Sequence, residues 1–136
     1  GNYLFHMTFG RSGLFSLYPV LLVGIAAALR ALFRRDMPYR THLITGLVGF
    51  LLLTVYYLLK TNNYGGEAYG FRWYMAAMPM LLLMGAPLLA RLRVRWQWIL
   101  VGILVGVSFY SAWESTVTPW SSNQEWTVRF FGRSYP

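Results

Sequence analysis

The sequence predicts an all-α protein, a polytopic transmembrane helical bundle of about four spans. Three observations lead there. Apolar residues make up 57% of the 136 positions and charged residues only 12%, about half the charged share of a soluble domain. The apolar residues form long unbroken blocks, where an amphipathic helix would show a repeating stripe. Arginines collect in the short connections between those blocks. A soluble helical bundle is the competing reading, and it needs a wet helix face that these blocks lack.

Residues 1–136 read as a single transmembrane region. Asn2 to Gly13 is a short lead-in that ends Gly10-Arg11-Ser12-Gly13, where glycine permits a tight approach to a helix start. Span one covers 14–33 and carries one charge, Arg30, near its end, with Pro19 early in it. Span two covers 43–59 and span four covers 96–113. Span three covers 74–90, with Pro79 early and Pro87 late, where it is expected to bend the helix. A crossing needs about 20 apolar residues, with a tolerance down to about 17. The last three blocks sit at the short end. Tyr56, Tyr57, Trp73, Tyr74, Trp96, Trp98, Tyr110 and Trp113 lie at or near block ends, the placement of an interfacial aromatic belt. The tail 114–136 mixes Ser, Thr, Asn, Gln, Trp and Phe, and is expected to lie along the membrane surface or on the external loop.

Orientation follows from the arginines. The first connection, 34–42, holds Arg34, Arg35 and Arg40 against Asp36, with Arg30 just before it. The third, 91–95, holds Arg91, Arg93 and Arg95 and no acid. The second, 60–73, holds Lys60 and Arg72 with Glu67. Positive residues are retained inside, so the first and third connections are expected to be cytoplasmic and both termini external. The expected location is a cell membrane, crossed several times, on the pattern of a bacterial inner membrane. The net charge of +8 is then mainly a topology signal, and no nucleic-acid partner is expected.

Several chemistries drop out. The chain has no cysteine, hence no disulfide framework and no thiolate metal site. His6 and His42 fall on opposite membrane faces in this topology and cannot share a metal, so neither metal nor cofactor is expected. No Asn-x-Ser/Thr sequon and no Gly-rich phosphate loop after a strand occurs. Spans two to four carry no ionisable residue between their ends, which disfavours an ion-coupled transporter. Chemistry, if there is any, belongs at the external surface. The chain starts at Gly1 with no signal peptide before the first span, so it is expected to be part of a longer polytopic protein.

The external loop 61–74 combines turn glycines, Glu67, Arg72 and the aromatics Tyr64, Tyr69, Phe71 and Trp73. An arginine fork suits phosphate or carboxylate, and aromatic rings beside polar groups suit a sugar or lipid headgroup. The bland alternative is an ordered interfacial turn with Arg72 snorkelling to headgroups. Small residues form a second pattern: Gly102 and Gly106 in span four, Gly46 and Gly49 in span two. Packing between helices of the same chain is the plain reading and a dimer face the sharper one.

The segment Phe71-Arg72-Trp73-Tyr74-Met75-Ala76-Ala77-Met78-Pro79 resembles the Arg-Tyr-Leu-Leu-Pro-x-x-Pro opening of a late helix in bacterial GT-C type membrane glycosyltransferases, the class of protein O-mannosyltransferases and aminoarabinose lipid A transferases. The run Gly10-Arg11-Ser12-Gly13-Leu14-Phe15-Ser16-Leu17-Tyr18-Pro19 is similar to a Gly-x-x-Gly-Leu-Phe-Ser-x-x-Pro run in such proteins, and Thr118-Pro119-Trp120-Ser121 to a post-helix Pro-Trp segment. The resemblance implies the C-terminal part of an enzyme that transfers a sugar from a polyprenyl-phosphate donor at the external face. The family's acidic catalytic residue lies on a first external loop that has no match here, so the catalytic residues are unassigned and Glu67 is not given that role. Phosphate departure needs a cation nearby, which singles out Arg72 and Lys60, with Tyr64, Tyr69, Trp73 and Glu67 completing the expected substrate-binding set. The expected partners are membrane lipids and that donor. The rival class is a non-enzymatic membrane scaffold or assembly subunit.

Overall fold

The computed structural model describes residues 2–10, 13–60 and 72–117. Every regular element among them is helical: α1 (Asn2–Thr8), α2 (Leu14–Leu17), α3 (Leu21–Phe33), α4 (Arg40–Lys60), a 3₁₀ turn (Arg72–Tyr74), α5 (Met78–Leu89) and α6 (Arg95–Val117). The helical class predicted from the sequence stands. Two of the four expected spans, α4 with 21 residues and α6 with 23, are long and apolar enough to cross a membrane. The tail begins later than expected, since Glu114 to Val117 still belong to α6.

The expected first span is divided. Pro19 has no N–H to donate and pushes the residue before it out of the helical region. Tyr18 accordingly sits at φ −127° and ψ 65°. Its N–H closes α2 on the Leu14 carbonyl, and α3 starts afresh through short turns from Leu21 to Tyr18 and from Leu22 to Pro19. The resulting α3 has 13 residues, about 20 Å of helix. The expected third span is likewise shortened. Its first residues form the 3₁₀ turn and a further turn, and α5 itself has 12 residues, with Pro79 in its first turn and Pro87 inside it.

The core is built on α3, which packs mainly against α5 and, less extensively, α4. Gly24 makes the α3–α5 crossing possible: a Cβ there would clash with the Leu81 carbonyl oxygen. Ala27, Ala28 and Ala31 continue this small-residue face and are fully buried, so backbones approach as they do at membrane helix interfaces. Gly13 plays the tight-approach role expected of the lead-in, since a Cβ would lie 2.7 Å from the Thr8 and Phe9 backbone.

The glycine patches chosen from the sequence behave differently. Gly46 faces the Met84 sulfur, but Gly49, Gly102 and Gly106 have nothing among the described residues within 4 Å of an added Cβ. The reading of Gly102 and Gly106 as packing positions within this chain is therefore corrected. Among the described residues, the glycines at close helix contacts are Gly24, Gly46 and Gly85.

Helix α6 lies outside the core. Its main contact is with α2. Only 11% of its most apolar window is buried, against 22% for α4. Trp96, Trp98, Ile99, Ile103, Phe109 and Trp113 are all exposed.

Candidate functional site

The bundle has two chemically distinct ends. At one end, α3 stops at Phe33 and α4 begins at Arg40. Arg40 Nε donates to the Ala31 carbonyl at 2.9 Å and satisfies one of the open carbonyls at the α3 C-terminus. Asp36 and Arg91 join the first and third connections. Arg91 donates to the Asp36 carboxylate at 2.9 Å and to its backbone carbonyl at 2.6 Å. The Arg91 hydrogen bond, with Arg34 adding its charge, holds the Asp36 carboxyl below the usual carboxylate range. The two arginine-rich connections thus share one end of the bundle, as the parity of the charge pattern requires. Arg30, Arg34, Arg35, Arg93 and Arg95 belong to the same two connections or the helix ends beside them, and no other ion pair joins two described residues.

The other end is aromatic. Rings follow one another from Phe9 to Phe15 at 5.3 Å, Phe15 to Phe50 at 6.0 Å and Phe50 to Tyr74 at 5.3 Å. Tyr57 then packs against both Tyr74, at 6.3 Å, and Trp73, at 5.2 Å. The sequence placed Tyr74 in the interfacial belt. It is instead fully buried, and its hydroxyl donates to Thr54 Oγ1 at 2.8 Å, which donates in turn to the Phe50 carbonyl at 2.8 Å. The reason is local. The 3₁₀ turn ahead of α5 directs this ring inward, where a hydroxyl on α4 is within reach. Thr54 is the sequence signal that went unused, one of two threonines in a mostly apolar block, the other being Thr45. Along α4, Thr54 lies about 21 Å from Arg40, so the aromatic end and the arginine-rich end are well apart.

The expected binding residues divide as follows. Trp73 is at the surface beside Tyr57, and Lys60 is exposed at the last residue of α4, one turn beyond Tyr57. The Arg72 backbone opens the 3₁₀ turn directly before Trp73; its side chain lies outside the described part. Tyr64, Glu67 and Tyr69 also lie outside the described residues. The structure thus brings the Arg72–Tyr74 turn against the last turns of α4, on the arm that ends at Lys60.

A third junction links α6 to the rest. The break at Pro19 frees the Val20 N–H, which donates to Ser108 Oγ at 3.1 Å; Ser108 in turn donates to the Leu104 carbonyl. The Tyr18 side chain lies near Ser115, and Ser111 is completely buried between Ser108 and Ser115 in sequence. These serines were not singled out from the sequence, although hydroxyls three and seven apart on an apolar helix share a face. No protein-family model, curated protein or solved structure matches the chain.

Proposed function

We propose that the chain is the C-terminal membrane portion of a polytopic glycosyltransferase that uses a polyprenyl-phosphate-linked sugar donor. In this reading the chain crosses the bilayer about four times. The α2–α3 pair and α5 are then carried through by their packing on α4 and by the adjoining turns. Membrane placement is supported by the exposure of α4 and α6: a soluble protein buries its apolar helices, and these two leave most of their apolar surface uncovered. The arginine-rich end is cytoplasmic and the aromatic end external.

One observation carries the functional part. Tyr74 is locked into the core through Thr54 and Phe50, which fixes the turn two residues after Arg72 at the aromatic end of the bundle. An arginine carried on that turn suits the phosphate of a lipid-linked donor, because its planar fork of donors is one that lysine does not reproduce. Lys60 adds charge from the end of α4. The scaffold reading draws on a different observation, the open small-residue face of Gly102 and Gly106 on α6.

Polyprenyl-phosphate binding to the full-length protein in detergent separates the two. Arg72→Lys and Arg72→Ala should both weaken it about ten- to a hundredfold, the effect of losing a charge-assisted hydrogen bond. Equal affinity in wild type and both variants, at normal expression, would reduce Arg72 to a headgroup anchor.

A further inference from the structure

Helix α6 is held to the α2–α3 junction at Ser108, whose Oγ accepts from the Val20 N–H, and its main contact is with α2. Between α3, α5 and α6 lies a cleft of about 330 Å³, within the range of small-molecule sites. Its walls are apolar, with Leu22 and Ala26 from α3, Leu88 from α5, and Trp96 and Leu104 from α6. The distance along α3 from Leu22 to Arg30 is about 12 Å, the reach of a stretch of acyl chain. Two polar residues line the mouth, Arg30 and Gln97. The Gln97 side-chain oxygen already accepts from the Arg93 and Val94 N–H groups, which leaves its NH₂ as a donor.

The charge at this mouth is one-sided. Among the described residues, Asp36 is the one acid at this end of the bundle, and it is paired with Arg91. Arg30 has no carboxylate partner among the described residues, and Arg95 directly precedes Trp96 in the wall. An apolar slot with an uncompensated guanidinium at its rim complements a molecule with a hydrocarbon tail and an anionic head. Basic pockets between membrane helices bind lipid phosphates in this way. We propose that the cleft between α3 and α6 binds one anionic phospholipid, its acyl chain along Leu22, Ala26 and Leu104 and its phosphate at Arg30. The site is distinct from the Arg72 turn, which lies at the opposite end, and it does not depend on the transferase reading.

The test is native mass spectrometry of the full chain in detergent, titrated with dioleoyl phosphatidylglycerol or dioleoyl phosphatidylcholine. Wild type should hold one phosphatidylglycerol about fivefold more tightly than phosphatidylcholine, the effect of about 1 kcal/mol for the one arginine engaged. Arg30→Gln should remove most of that preference. Ala26→Trp, which fills the cleft, should weaken both lipids, and millimolar inorganic phosphate should displace neither. A second readout does not require the filling variant to fold: a phosphatidylglycerol brominated on its acyl chain should quench a fluorescence component that Trp96→Phe lacks. Equal affinity for the two lipids in wild type would overturn the proposal. So would undiminished phosphatidylglycerol binding in a helical Ala26→Trp, displacement by inorganic phosphate, or quenching that is the same in Trp96→Phe.

Discussion

Tyr74 is the largest fully buried side chain among the described residues, and its hydroxyl is tied to Thr54. Tyr74→Phe and Thr54→Val should each cost about 1 kcal/mol, the net value of one buried hydrogen bond. The double variant should cost less than their sum, because both remove the same interaction. Denaturant unfolding in detergent reads all three. Gly24 and Gly102 give a second contrast. Gly24→Ala would drive a methyl group into the Leu81 carbonyl and should destabilise by about 1–3 kcal/mol or more. Gly102→Ala meets open space and should stabilise by up to about 1 kcal/mol through helix propensity. The reverse ranking would mean that α6, and not α3, holds the tight helix crossing. At this scale the sequence was a partial guide. Tyr74 stood at a block end and so read as interfacial, since hydropathy cannot show that a turn rotates a ring inward onto one threonine. Gly24 sat unremarked in an apolar run, because what makes it necessary is the Leu81 backbone, more than fifty residues away. Arg72, Lys60 and Trp73 were legible as residue types at a helix opening, while their mutual placement depended on the Tyr57–Trp73 contact.

Among the elements, α4 and α6 follow the expected second and fourth blocks to within a few residues, because an apolar run without proline has little alternative to a helix. The other two blocks contain Pro19, Pro79 and Pro87, and there composition overstated helix length. Proline changes hydropathy little but removes a donor and restricts its neighbour. The break at Pro19 is accommodated by α6 through Ser108. Ser108→Ala would leave the Val20 N–H without that acceptor and should cost about 1–3 kcal/mol, read as a lower melting temperature in detergent. The Asp36–Arg91 pair ties the two arginine-rich connections and makes a pH signature. Asp36 is held below its usual range by Arg91. A depressed carboxylate contributes stability that is present above its unfolded value, near pH 4, and is lost as pH falls through the folded value. Melting temperature should therefore drop below about pH 4 in wild type, and less steeply in Asp36→Asn. An identical acid slope in both would show that the pair does not link the connections in solution.

For the molecule as a whole, the placement of the ends follows from packing. Asp36 with Arg91 at one end, and Tyr74 with Thr54 and Tyr57 at the other, give the alternation that the arginine pattern demanded. That the first and third connections differ from the second was readable in the sequence from the arginines each one holds. The loose seating of α6 was not readable, since an apolar helix in the core and one facing lipid have the same composition. The account rests on α4 and α6 crossing a bilayer with the arginine-rich end in the cytoplasm, and the absence of native cysteine makes one measurement direct. Single cysteines at Thr41, Val48, Val105 and Ser122 are treated with a membrane-impermeant thiol reagent, first in intact cells and then after permeabilisation. Position 122 should react in intact cells and position 41 only after permeabilisation, while 48 and 105 stay unreactive in both. Reaction at 41 but not 122 in intact cells, or free reaction at 48 and 105, would contradict the account.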